Sequence, residues 1–397
     1  MSEPWLSIIG IGEDGLSGLS TAARAALDQA HIVIGGPRHL ALADVGARGQ
    51  PWPQPFDIAP VLARRGQRVA VLASGDPFWH GAGGSLTAHL RAGEWQAYPV
   101  AGCASLAAAH LGWRLEDTTC LGLHAAPFER LLPVLRPGAR ALCLLASGAQ
   151  ASALAAWLQA HGWGDSRIWL MEALGGARQR VRETTAALGA TTDALAGAAS
   201  PALLAIEAAG GPVLPTVPGL PDALYAHDGQ ITKAPVRAMT LAALAPRPDA
   251  LLWDVGAGSG SISVEFCRAG GRAIAIETRA DRQPHITANA HRFGVQERLR
   301  LVAGHAPQAL QDLPTPDVVF VGGGLDEAVF EAVWARLKPG GRLVANSVTL
   351  QTEALLTQLY ARHGGELLRL ELARAAPLGR LHGWRPARPL VQWSVQR

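Results

Sequence analysis

Lysine is almost missing from this chain of 397 residues: Lys233 and Lys338 stand alone among 35 basic side chains, and the rest are arginine. A GC-rich genome that favours Arg and Ala codons gives that bias. So does a substrate rich in carboxylates, which a guanidinium grips through two parallel hydrogen bonds. Cysteine is also scarce. Cys103, Cys120, Cys143 and Cys267 lie far apart with no CxxC pair, which argues against a zinc site or a disulfide framework and fits a reducing compartment. No run approaches the ~18 apolar residues of a membrane span. The opening MSEPWLSIIG has no basic segment ahead of a long apolar stretch, so no signal peptide is expected and the cytoplasm is the default. Charged residues make up only 17% against 49% hydrophobic, with a formal net charge of +3. That balance suits a well-packed globular protein without a strong pull on nucleic acid.

What is present is a series of short apolar runs separated by Ala-rich helical stretches. Strands are predicted at Trp5 to Ile9, His31 to Ile34, Val69 to Ala73, Leu142 to Ala146 and Ile168 to Met171. This alternation implies an α/β architecture with a mostly parallel sheet. The series breaks at Gly210-Gly211-Pro212, followed by Pro215, Pro218, Gly219 and Pro221, a composition typical of a domain boundary. A second α/β series follows, at Leu251 to Val255, Ala273 to Ile276, Leu299 to Val302, Val318 to Val321 and Arg342 to Ala345. Two domains are therefore expected, 1–211 and 212–397. No repeat relates them, so they are expected to be different folds.

The strongest motif is the strand Leu251 to Val255 running into Gly256-Ala257-Gly258-Ser259-Gly260 and then a helix. Glycines let the backbone approach a ligand closely, and the helix amino terminus behind them favours partial negative charge. Glu277, at the end of the next strand, is placed to accept hydrogen bonds from the ribose hydroxyls of a nucleoside. The spacing is G-x-G-x-G rather than the G-x-G-x-x-G of dinucleotide enzymes. Asp254 ahead of it would repel a pyrophosphate but suits the ammonium end of S-adenosylmethionine. The predicted ligand is therefore S-adenosylmethionine, with a nicotinamide or flavin nucleotide as the rival. Gly304-His305-Ala306-Pro307 follows the third strand, where such folds contact adenine. In the amino half, Gly10-Ile11-Gly12-Glu13-Asp14-Gly15 follows the first strand and Ser74-Gly75-Asp76-Pro77 the third.

Together with His227-Asp228-Gly229-Gln230-Ile231-Thr232-Lys233 and Gly379-Arg380-Leu381-His382-Gly383-Trp384, these motifs resemble the decarboxylating, bifunctional precorrin-6Y (precorrin-6B) C5,15-methyltransferases of cobalamin synthesis, over essentially the whole chain. The amino half is similar to the tetrapyrrole methylases and the carboxyl half to Rossmann-like methyltransferases. The resemblance implies methylation of a precorrin at C-5 by the amino half. It implies C-15 methylation and removal of carbon dioxide from the ring-C acetate arm by the carboxyl half, giving precorrin-8x. It also implies one S-adenosylmethionine site per domain, no metal, and a homo-oligomer; the low net charge and the lack of long apolar runs leave no nucleic-acid or membrane partner expected. By motif the donor sites are Thr232, Gly256, Ala257, Gly258, Ser259, Gly260, Glu277 and Ala306 in one half, and Gly10, Gly12, Gly75, Asp76 and Ser105 in the other. The segment Gly102-Cys103-Ala104-Ser105 departs from the usual Pro- and Ser-rich loop.

For substrate, Asn346 at the end of a strand and Arg374, Arg380 and His382 in the tail are candidates. They lie in a segment that also holds Arg385, Arg388, Trp384 and Trp393. Arginine and tryptophan can hold a flat polyanion by hydrogen bonding and stacking; a solvated terminal strand accounts for the same residues. No catalytic acid or base is identified. Two other functions stay open: an RNA methyltransferase, though from residue 218 onward 20 Lys+Arg against 16 Asp+Glu leave only +4, and a non-catalytic S-adenosylmethionine sensor.

Overall fold

A computed structural model describes residues 4–397. Contacts within the chain divide it into two compact units. The first runs to Phe128 and resumes over Val134–Val213; the second comprises Leu214–Arg397 with the short insert Glu129–Pro133.

The first unit holds two five-stranded sheets. One is built from β1 (Leu6–Ile11), β2 (Ile32–Gly35), β3 (Gly49–Pro51), β4 (Val69–Ser74) and β5 (Trp95–Tyr98) in the order β3-β2-β4-β1-β5. Every pairing in it is parallel. The central strands read as nearly unbroken apolar runs because helices cover both faces. Ile9, Ile11, Val33 and Leu72 pack against Ala23 and Leu27 on one side. Leu6, Ile8, Ile34 and Val71 pack against Val61 and Leu86 on the other. The helix Thr21–Gln29 begins where the Ser20 hydroxyl accepts from the Ala23 N–H, satisfying one of the free amides of its first turn.

The second sheet departs from the sequence expectation. Its strands β6 (Thr118–Gly122), β7 (Arg140–Leu145), β8 (Arg167–Glu172), β9 (Arg180–Thr185) and β10 (Ala202–Glu207) lie in the order β6-β7-β10-β8-β9. Only β6 and β7 are parallel; β10 runs antiparallel to both neighbours, as does β9 to β8. Local periodicity identified β7 and β8 but carried no information on the strand that enters between them.

The second unit carries one seven-stranded sheet. Its parallel part is β11 (Leu251–Val255), β12 (Arg272–Glu277), β13 (Leu299–Ala303), β14 (Val318–Val321) and β15 (Arg342–Ser347). Strand order is β13-β12-β11-β14-β15 and then β19 and β16. After β15 come β16 (Glu366–Leu370), β17 (Ala373–Leu378), β18 (Leu381–Pro386) and β19 (Leu390–Gln396). β19 is antiparallel to β15 and β16, while β17 and β18 pair only with each other. The order reverses at β11, so the crevice beyond its carboxyl end is where an open α/β sheet binds ligands. Helices flank that crevice for local reasons. Pro235 sits in the first turn of Ala234–Leu244, where its missing N–H costs nothing. Asp326 caps Glu327–Arg336 by accepting from the Val329 N–H at 2.8 Å.

Trp393, considered above as a stacking surface for substrate, is fully buried. It packs with Phe330, Leu343 and Leu359, and its indole N–H donates to the Gly364 carbonyl. It is a core residue of β19. Among the described residues no helix is long and apolar enough to cross a membrane, and no group of three or more His, Cys, Asp or Glu is placed to hold a metal ion.

Candidate functional site

In the second unit, β11 ends in a backbone path that only glycine follows without strain: φ is +73° at Gly256, +60° at Gly258 and +72° at Gly260. A side chain at Gly256 would lie 2.8 Å from the Gly323 carbonyl oxygen. At Gly258 a side chain would meet nothing within 4 Å, because that residue faces open space. Gly260 is the residue from which the helix Ser261–Arg268 starts, and its α-carbon lies against Ile286.

Two carboxylates brace this loop from below. Glu277 accepts from the Gly258 N–H at 2.7 Å and the Arg279 N–H at 2.8 Å, one bond to each oxygen. Asp254 accepts from the Ser263 hydroxyl at 2.6 Å and its N–H at 3.2 Å, tying the end of β11 to the helix. Its second oxygen is buried without a partner. Burial pushes the Asp254 carboxyl up to about 6, against the two bonds from Ser263 and with a smaller contribution from the Glu277 charge. Asp254 is 1% exposed, and its contacts run to the helix behind the loop, not to the cavity.

The cavity over this loop measures about 1110 Å³ and is lined by Thr232, Gly256, Ala257, Gly258, Ser259 and Asn346. That exceeds the space one small ligand ordinarily needs. Its walls also carry Lys233, Arg282, Arg374, Arg385 and Arg388, and no carboxylate. Lys233 faces Asp222 and Arg282 faces Asp228. No acid pairs with Arg374, Arg385 or Arg388 among the described residues. Arg374 and Arg385 are direct cross-strand partners in the β17–β18 ribbon, an arrangement that repels unless an anion sits between or beside them.

Asn346 lines the cavity with its amide already oriented. It donates to the Thr240 hydroxyl at 2.9 Å and accepts from Gln392 at 2.9 Å. The segment ahead of Thr232 is held just as firmly. Arg237 is fully buried and donates to Glu265, Asp222 and the carbonyls of Thr232 and Leu220. Glu265 also accepts from the N–H groups of Gly219 and Leu220 and from the Tyr225 hydroxyl.

The structure thus gathers Thr232, Gly256, Ala257, Gly258, Ser259, Asn346 and Arg374 around one cavity. Glu277 and Gly260 sit behind the loop. Ala306 is packed in the core with Leu310 and Val302. Arg380 lies in the turn between β17 and β18, and His382 is out of phase with Arg385 by the strand alternation, so it faces the other side of the ribbon. Arg282 is not among the sequence candidates. Arg282 directly precedes the helix Gln283–Arg292, on the loop after β12, a position at the carboxyl edge of the sheet that would have flagged it.

The first unit has a second cavity of about 350 Å³ at the carboxyl ends of β1, β2 and β4. Gly12 and Gly75 line it. Gly10 and Gly75 permit the close approach behind it: a side chain on Gly10 would fall on the Gly75 carbonyl, and one on Gly75 would lie 2.5 Å from the Gly102 α-carbon. Asp76 is a turn residue, accepting from the Phe78 N–H at 2.8 Å. Ser105 is exposed on the helix Cys103–Leu111, where Gly102, Cys103 and Leu106 provide the lining.

The same cavity brings in side chains that the motifs did not name: Glu13, Arg38, His39, His80 and His124. Glu13 pairs with Arg38 and, at 3.4 Å, with Arg178. Arg38 donates to the Ser74 hydroxyl at 2.8 Å and reaches His39 Nε2 at 2.9 Å. Burial, then the Arg38 charge, pulls the His39 imidazole down to about 4. Arg38 and His39 immediately follow the Gly35-Gly36-Pro37 stop of β2, the same carboxyl-edge signal.

Two family models match parts of the chain. Residues 6–188 match the Tetrapyrrole (Corrin/Porphyrin) Methylases, and residues 223–397 match the Precorrin methyltransferase domain. A precorrin-6Y C(5,15)-methyltransferase [decarboxylating] of Sinorhizobium sp. is 46% identical, covering 98% of this chain and 96% of its own. One of Mycobacterium tuberculosis is 40% identical, covering 98% and 99%. The crystal structure of the C-terminal domain of precorrin-6Y C5,15-methyltransferase from Rhodobacter capsulatus is 59% identical over 46% of this chain and all of its own, with a TM-score of 0.46. The chain, with its two glycine-lined cavities, belongs to the family of decarboxylating precorrin-6Y C(5,15)-methyltransferases.

Proposed function

We propose that this chain methylates a precorrin at C-5 and C-15 and removes the ring-C acetate carboxylate as carbon dioxide, forming precorrin-8x in cobalamin biosynthesis. Methyltransferases of this family use S-adenosylmethionine, which supplies an electrophilic methyl group on its sulfonium. We assign one donor site to each unit, C-5 methylation to residues 1–211, and C-15 methylation with decarboxylation to residues 212–397. The observation that carries the reading is the large cavity beside the Gly256–Ser259 loop, walled by cations and free of carboxylates. It has room for donor and acceptor together, and its charge suits a macrocycle bearing acetate and propionate arms.

In this reading the residues mostly orient. The open face of Gly258 admits the donor, and Glu277, each oxygen holding one backbone N–H, keeps further lone pairs for ribose hydroxyls. Gly260 starts the helix behind the loop, and Ala306 packs inward with Leu310 instead of meeting the donor. Thr232 covers the donor. Gly10, Gly12, Gly75, Asp76 and Ser105 shape the corresponding region of the first unit. Arg374, with Arg385 and Arg388, holds substrate carboxylates, and Asn346 presents its remaining amide hydrogen. Arg380 and His382 extend the same ribbon. Alignment of an electron-rich ring carbon with the methyl group supplies most of the acceleration. The conjugated ring accepts the electron pair left when carbon dioxide departs.

The ribbon also exposes Leu378, Leu381 and Trp384. An isolated two-stranded ribbon is marginal in water, which supports a homo-oligomer. Four unpaired cysteines suit the cytoplasm. The two cavities leave no reason to prefer RNA as acceptor.

The test is incubation with S-adenosylmethionine and precorrin-6B, read by mass spectrometry, with Glu277→Ala in parallel. The wild type is expected to gain two methyl groups and lose one carbon dioxide, and the variant to lose C-15 methylation. Donor binding with the precursor returned unchanged overturns the substrate assignment.

A further inference from the structure

The C-5 reaction leaves a proton to be disposed of. When the methyl carbon bonds to a methine carbon and its bond to sulfur breaks, the ring carbon briefly carries both the methyl group and its original hydrogen. The C–H electron pair must then return to the conjugated ring, and the proton must go to a base. The first unit's cavity contains few groups that can take it. Its one carboxylate, Glu13, is shared by Arg38 and Arg178. His39 is held by Arg38 and Ser74 at Nε2, and its other nitrogen is buried. Burial raises the Cys103 thiol, so it stays protonated.

Two lining imidazoles remain. His80 follows the Asp76-Pro77 turn and His124 follows β6, so the two parts of the unit each contribute one. Their rings meet edge to face, 5.8 Å apart at 86°. Both are solvent-exposed, and neither hydrogen-bonds to another group among the described residues. The surrounding backbone is arranged to place them. A side chain on Gly122 would lie 2.9 Å from the His80 ring and 3.1 Å from the His124 ring, so both rings lie over a bare α-carbon. His80 itself has φ +54°, a left-handed conformation that costs a non-glycine residue roughly 1–2 kcal/mol. Gly81 and Gly83 hold it there by packing on the Pro77 carbonyl, 2.5 and 2.7 Å from where their side chains would begin. Backbone strain of this kind collects at functional positions.

We infer that His80 and His124 are the proton-accepting pair of the amino-terminal site, one imidazole receiving the methine proton and its neighbour passing it to solvent. Histidine is the side chain suited to take and release a proton near neutrality. The inference rests on the assignment of C-5 methylation to this unit.

The experiment uses the full chain, a ¹³C-methyl donor and precorrin-6B, with NMR resolving the two methyl positions. His80→Asn with His124→Asn is expected to slow C-5 methylation by about 100-fold or more. C-15 methylation and carbon dioxide loss should stay within about twofold, because they belong to the other unit, and added imidazole should restore part of the C-5 rate to the corresponding alanine variants, which a misfolded first unit would not allow. Gly102→Leu separates the two ideas, since a side chain there meets nothing closer than 3.8 Å and occupies the cavity. If it abolishes C-5 methylation while the histidine variants methylate C-5 at the wild-type rate, the proton role is wrong and the site assignment stands. If C-5 methylation survives Gly102→Leu, the assignment to this unit is wrong and the histidine role falls with it.

Discussion

Replacing Arg237 with Met should cost the second unit a large part of its stability, and the structure says why. Arg237 is 0% exposed and its partner Glu265 2% at the side chain. Its guanidinium serves Glu265 at 2.6 Å, Asp222 at 3.2 Å and the carbonyls of Leu220 and Thr232, and lies 4.7 Å from the centre of the Tyr225 ring. Methionine fills most of the space but leaves a buried carboxylate without its counter-charge and two carbonyls without donors. Breaking a buried pair from one side costs about 3–5 kcal/mol. For a unit of this size that lowers the melting temperature by roughly 6–20 °C.

Removing Glu265 as well should not rescue the fold as it does for a simple ion pair. The N–H groups of Gly219 and Leu220 and the Tyr225 hydroxyl would then lack their acceptor, at about 1–3 kcal/mol each. The assay is calorimetric unfolding of the full chain with Arg237→Met, Glu265→Leu and the double variant. The transition of the second unit should fall while that of the first stays. A shift under about 2 °C in the single variants, or a double variant restored to wild type, would refute the reasoning.

Two further outcomes follow from the same geometry. Asp254 has its folded pKa raised to about 6 from 3.8, so the folded state keeps a proton that the unfolded chain releases between these values. Stability therefore falls as pH rises through that window, by up to about 3 kcal/mol. Asp254→Asn should abolish the slope and be the more stable protein at pH 8 in urea unfolding without donor; parallel curves for the two proteins would contradict this. Arg374→Gln with Arg385→Gln removes a like-charge pair from an exposed ribbon, so melting should hold or rise slightly. KM for the tetrapyrrole should increase by roughly tenfold or more, at about 1.4 kcal/mol per tenfold, with weaker dependence on salt. An unchanged KM would remove these arginines from the substrate site.

Much of this protein is determined by local sequence. β1, β4, β11 and β14 are legible because a parallel strand buried on both faces must be apolar along nearly its whole length. The Gly256–Gly260 loop is legible because three positive φ angles within five residues require glycine. Glu277 follows from its place at the end of the neighbouring strand. Other features needed the tertiary structure. Ala306 carries a motif position yet packs inward, and Trp393 in a polar tail proves to be core, because burial depends on what lies across the sheet. Arg374 and Arg385 share a face that His382 does not, because the register of the β17–β18 ribbon, which no pattern of residue types reveals, decides which side chains point together. The buried Arg237 reads as one more arginine in an arginine-rich chain. His80 and His124 stand 44 residues apart and meet only because two sheets of one unit close on the same cavity. Local chemistry specifies the elements and the glycine loop that borders the second unit's cavity; the long-range packing of those elements selects which charges and imidazoles line each cavity.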